Sequence, residues 1–177
     1  DLDEEDTEQS GLQGYQTRSA LYGQLLELMK RHARPLRTKR LLEIGFGRGV
    51  FLLALRKMGV VVEGLERNPE HVRFARRLGV AERGEELPVT EGDLLSPPEA
   101  TIQQPYDVTF SHSVLDALIV NNSLTDPQTR QGGLQALRGL AKLTKPGGVS
   151  AHQVERGLPF TRVDVTAAGF DVLEDVL

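Results

Sequence analysis

The stretch Leu41-Leu42-Glu43-Ile44-Gly45-Phe46-Gly47-Arg48-Gly49 decides how the rest of the chain is read. Apolar residues around one acid run into glycines at every second position. An apolar helical pattern, Phe51, Leu52, Leu53, Leu55 and Met58, follows at once and stops at Gly59. This predicts a short buried strand, a tight loop and a helix whose N-terminus points at whatever lies over the loop. Glycine lets a ligand approach the backbone closely, and the free N–H groups of a helix start suit an anionic or strongly accepting group. A dinucleotide fingerprint requires G-x-G-x-x-G. Here the register is G-x-G-x-G, and Val50 follows. Glu43, two positions before the first glycine, would repel a pyrophosphate but suits a ligand that carries an ammonium and a sulfonium.

Working outward, residues 17–34 repeat Leu21, Leu25, Leu28, Met29 and His32 at helical spacing, an amphipathic helix ahead of the first strand. Tyr15 and Tyr22 lie near its start. Downstream, Val60 to Glu66 reads as a second buried strand that ends in a carboxylate, with Arg67 beside it. In open parallel sheets ligands bind beyond the carboxyl ends of the strands. Glu66 is therefore placed either to accept from a ligand's hydroxyls or to cap the helix that Asn68-Pro69-Glu70 starts. That helix is expected to end at Gly79. Leu87 to Leu95 predicts an edge-like third strand, since Pro88 is tolerated there. Residues 96–105 read as a surface connection. Tyr106 to Ser111 is a fourth strand, with His112-Ser113-Val114 leaving its carboxyl end. Asp126 and Pro127 open a further helix, and Lys145-Pro146-Gly147-Gly148 turns into a fifth strand over 149–154.

Together these stretches, from Leu41 to Leu173, resemble the class I S-adenosylmethionine-dependent methyltransferases. The opening stretch is similar to that family's motif I, Tyr106-Asp107 to the start of its fourth strand, and Leu143-Thr144-Lys145-Pro146-Gly147-Gly148 to the turn before its fifth. The resemblance implies a three-layer α/β, Rossmann-like domain with a mostly parallel sheet and S-adenosylmethionine as cofactor. It implies that Gly45, Phe46, Gly47 and Gly49 lie against the ligand and that Glu43 helps hold its amino end. Glu66, with Arg67, corresponds to the ribose site, and Asp93 and Leu94 to the adenine site. Ser111 borders the cofactor and His112 faces the acceptor, either as a general base or as a structural hydrogen-bonder. Tyr15 falls where that family folds a segment over its ligand. "Ala-Gly-Phe" at 168–170 resembles the lead-in to a sixth strand, and the family's last, antiparallel strand has no counterpart in the sequence.

The implied activity is methyl transfer to a small-molecule acceptor. The alternatives are another adenosyl-ligand transferase, such as an aminopropyl transferase, or a non-catalytic binding domain. The family's nucleic-acid amino-methylating members carry Asp/Asn-Pro-Pro-Tyr/Phe where this chain has Ser-His-Ser-Val, which disfavours that substrate. So does a net charge of −4. At 177 residues the chain is expected to form one domain over 15–177, preceded by an acidic, mobile tail over 1–14. No stretch approaches the ~20 apolar residues of a membrane span. The absence of cysteine excludes disulfides and fits a reducing cytoplasm. An uncovered sheet edge at the C-terminal end would make a homodimer one way to protect it.

Overall fold

The computed structural model describes residues 20–119, 123, 125–154 and 158–174; the expected tail and Tyr15 lie outside them. Helix α1 runs over residues 20–33, followed by β1 (Arg40–Ile44), α2 (Val50–Lys57), β2 (Val61–Glu66), α3 (Pro69–Arg83), β3 (Val89–Glu91) and α4 (Glu99–Ile102). Strand β4 (Tyr106–His112), α5 (Pro127–Leu143), β5 (Thr144–Gln153) and α6 (Arg162–Ala167) complete the described chain. The five strands form one sheet in the order β3-β2-β1-β4-β5, and every adjacent pair is parallel. Helices bury apolar surface on both faces. One core joins Leu25 and Met29 of α1, Leu52 and Leu55 of α2, and Val72 and Ala75 of α3 to Leu41, Val62, Val108 and Phe110 of the sheet. The other packs Ala136, Leu137, Leu140 and Leu143 of α5 on Leu42, Ile44 and Leu65. This is the expected three-layer, Rossmann-like α/β arrangement.

Local chemistry explains the helix ends. The Asn68 side chain accepts from the Glu70 N–H with Pro69 in the first turn, and Asp126 caps α5 in the same way ahead of Pro127. At the other end of the sheet, Arg40 binds Glu63 at 2.8 Å and Tyr106 Oη donates to the same carboxylate at 2.8 Å, which locks β1, β2 and β4 together. The segment after α6 returns to α1, where Glu174 accepts from Arg31 at 2.8 Å and pairs with His32 at 2.7 Å.

Three expectations are corrected. Helix α3 does not end at Gly79 but continues to Arg83, where Gly84 takes φ +75° as the cap. Gly79 is a packing residue: a Cβ there would run into the backbone of Glu85, Glu86 and Leu87 as the chain folds back along the helix. The third strand is shorter than expected, because pairing with β2 covers only Val89–Glu91. The expected sixth strand is absent among the described residues. Ala167 ends α6, and residues 168–174 carry no strand. The stretch is spent on ending a helix that Thr161 and Asp164 open as a capping box.

Gly79→Ala tests the packing reading by sign. An exposed mid-helix glycine gains about 1 kcal/mol on becoming alanine. Overpacking at this position should instead give a net loss of about 1–3 kcal/mol in urea unfolding.

Candidate functional site

The order in which strands are added reverses between β1 and β4, which are parallel neighbours in the sheet although β2 and β3 lie between them in sequence. Such a reversal opens a crevice at the carboxyl ends of the two strands. Two loops meet there. A Cβ on Gly45 would collide with the Val114 side chain, so the glycine lets the loop after β1 touch the loop after β4. Gly49, the N-cap of α2, is closed in by Ala75, whose Cβ would lie 2.9 Å from an added Cβ. Gly47 differs. It has φ +57°, and an added Cβ would meet nothing within 4 Å. Its α-carbon faces open space, and a side chain there would both strain the backbone and fill that space. Phe46, between these glycines, turns its ring into the core against Gly64 and can reach a ligand only through its backbone.

The ends of β1 and β2 carry two acids with different surroundings. Glu66 spans two loops: Oε2 accepts from the Gly47 N–H at 3.0 Å and Oε1 from the Asn68 N–H at 2.9 Å. His71 Nδ1 lies 3.9 Å from Oε2. A carboxylate has about four lone-pair positions, so both oxygens keep acceptor capacity. Glu43 is only 2% exposed, opposite Gly64 on one side and Phe110 on the other. Its Oε2 is buried without a hydrogen-bond partner among the described residues. Burial first, and then the neighbouring Glu66 charge, push its carboxyl pKa up to about 8.

The remaining expected positions lie in or just after β2, β3 and β4. Asp93 follows β3, and its Oδ1 accepts from the Leu95 N–H at 2.9 Å. Leu94 is buried, with its carbonyl pressed against Gly139 of α5. Arg67 is exposed beside Glu66. Ser111 is fully buried, in register with Ile44, and shares a 2.8 Å hydrogen bond with His152 Nδ1. His112, the last residue of β4, packs its ring 5.0 Å from Tyr22, which stacks on Phe51 at 4.2 Å. Helices α1 and α2 thus bring stacked aromatic rings against the end of β4.

Sequence reasoning missed His152. Its Nε2 bonds Ser150 Oγ at 2.7 Å, and Thr109 bridges Ser150 at 2.8 Å to Thr144 at 2.9 Å. Burial lowers the His152 pKa to about 4 and keeps the imidazole neutral. The signal was present as polar residues at every second position, Thr109 and Ser111 facing Ser150 and His152 across adjacent strands.

Solved structures share this architecture. DesVI of Streptomyces venezuelae superposes with a TM-score of 0.59 at 18% identity, over 77% of this chain and 50% of that one. The CcbJ methyltransferase of Streptomyces caelestis gives 0.56 at 20% identity over 74% and 47%. The sugar N-methyltransferase KedS8 of Streptoalloteichus sp. gives 0.54 at 19% identity over 76% and 47%. The fold is that of the class I methyltransferases. The chain spans about half the length of these methyltransferase-fold structures. No protein-family model and no curated protein matches the sequence. Among the described residues no helix is long and apolar enough to cross a membrane.

Glu43 gives a signed pH prediction. Its folded pKa, about 8, lies above the ordinary glutamate value of 4.5, so between those limits the folded state holds a proton that the unfolded chain has lost. Wild-type stability should therefore fall as pH rises through that window, by about 1.4 kcal/mol per pH unit. Glu43→Gln removes the proton exchange while keeping the shape of the neutral acid. The variant should match wild type below pH 4.5 and exceed it by about 3 kcal/mol at pH 7. Urea midpoints of both proteins from pH 4 to 8 measure this.

Proposed function

We propose that the crevice binds S-adenosylmethionine and that the protein transfers its methyl group to a small-molecule acceptor. The observation that carries the reading is an open Gly47 beside two acids at the carboxyl ends of adjacent strands, one of them with a buried oxygen lacking a partner among the described residues. The residues present fit the ligand. Glu43 Oε2 calls for a donor or a cation, the Glu66 oxygens keep capacity for ribose hydroxyls, and Gly47 leaves room for the ligand above the loop. Asp93, whose Oδ1 accepts from the Leu95 N–H, and Leu94 are the residues this reading gives to the adenine.

When bound, S-adenosylmethionine supplies a methyl group made electrophilic by its sulfonium. What remains for the protein is to align the acceptor, exclude water and, for an oxygen acceptor, remove a proton. Tyr22 stacks on Phe51 on the α1 side and His112 packs against Tyr22, so that an unprotonated ring nitrogen of His112 would take the proton of an oxygen acceptor. A small acceptor agrees with the acidic net charge and with the sugar named for KedS8.

Gly47→Val should abolish binding of S-adenosylhomocysteine in calorimetric titration while the protein stays folded by circular dichroism. Unchanged affinity in the folded variant would remove the loop from the site. His112→Ala separates chemistry from binding. With an oxygen acceptor, S-adenosylhomocysteine affinity should stay within about twofold while turnover falls ~10²-fold or more. Near-wild-type turnover across pH would leave His112 with no role as a base.

A further inference from the structure

Glu43 stands out as the buried titratable group whose surroundings fold stability does not account for. It lies on the central strand of the sheet, 2% exposed, with Oε2 lacking any hydrogen-bond partner among the described residues. A carboxyl placed so deep stays ionised only beside a cation or several donors. Among the described residues its neighbours supply neither. Strand β2 contributes Glu66, a second acid. Helix α3 contributes His71, whose Nδ1 is 3.9 Å from Glu66 Oε2. Strand β4 contributes Phe110 opposite Glu43 and, two residues on along the same face, His112 packed on Tyr22. The α1 and α2 side chains buried on this face, Leu25, Met29, Leu52 and Leu55, are apolar.

We infer, resting on the reading of the crevice given above, that Glu43 is a neutral acid before binding and gives up its proton when a positively charged ligand docks on the glycine loop. Uptake is thereby coupled to release of a proton, and the site favours ligands that bring a cation to this end of the crevice. The chemistry balances simply: the carboxyl O–H breaks, the proton passes to solvent, and the carboxylate left behind pairs with the ligand's ammonium. Burial and the Glu66 charge, which push the carboxyl up to about 8, agree with a proton still bound at neutral pH. The geometry makes the same point independently, since an ionised Glu43 would leave an unpartnered charged oxygen inside the sheet.

The linkage is measured by titrating the protein with S-adenosylhomocysteine at pH 7 in buffers of different ionisation enthalpy. The observed heat should vary with the buffer as about one proton is released per ligand bound. Wild-type affinity should rise from pH 6 to 8, approaching tenfold per unit. Glu43→Gln should still bind, at least about tenfold more weakly at pH 8, with no proton release and a flat pH profile. 5′-Methylthioadenosine, which lacks the ammonium, should bind wild type without releasing a proton. An infrared band of the protonated carboxyl should be present at pH 7, absent in Glu43→Gln and lost from wild type on adding S-adenosylhomocysteine. Binding without proton release, or equal release by Glu43→Gln, overturns the inference and leaves the cofactor reading intact. No binding of S-adenosylhomocysteine or S-adenosylmethionine by wild type removes both.

Discussion

The Glu66 carboxylate holds the crevice together. One oxygen accepts from Gly47 in the loop after β1, the other from Asn68 in the turn after β2. Backbone N–H groups at such loop tips otherwise need solvent, and a charged acceptor binds them more strongly than a neutral one. The same bridge fixes the direction in which Gly47 presents its open side. The third wall comes from the loop after β4, which Gly45 admits by lacking a side chain where Val114 packs. One carboxylate and one missing Cβ thus set the relation of the three loops that any ligand would touch.

Against this frame Glu43 is anomalous in a useful way. Two carboxyls at the ends of neighbouring strands share a face of the sheet. Glu66 is satisfied by backbone donors, whereas Glu43 Oε2 has no partner among the described residues. Folded proteins seldom keep such a group unless it has another use, because hydrophobic residues of similar volume serve the core better. Local rules are broken most often at functional sites, and this position lies next to the glycine loop. The Ser111–His152 contact on the opposite face is the contrasting case: every polar atom in that chain has a partner, and the result binds β4 to β5.

Much of this was legible in the sequence because it is locally encoded. The glycine spacing, the acids ending β1 and β2, and the caps at Asn68-Pro69 and Asp126-Pro127 each declare themselves within a few residues. The errors arose where tertiary contacts decide. Gly79 reads as a helix stop, yet it is glycine because residues 85–87 fold against it. The stretch at 167–173 carries apolar residues that suit a strand, but a capping box upstream commits the chain to α6 and a turn with Gly169 at φ +90°. That Glu43 Oε2 lacks a partner among the described residues cannot be read from its neighbours in sequence; it follows from what β2, β4 and the helices place around it.

A crystal structure of the protein grown with S-adenosylhomocysteine tests the central claim most directly. Expected is ligand density in the crevice between the loops after β1 and β4, with the ribose hydroxyls on Glu66, the amino end within reach of Glu43, and the adenine beside Asp93 and Leu94. Ligand ordered elsewhere on the molecule, or seated in the crevice with Glu43 and Glu66 both out of contact, would contradict it.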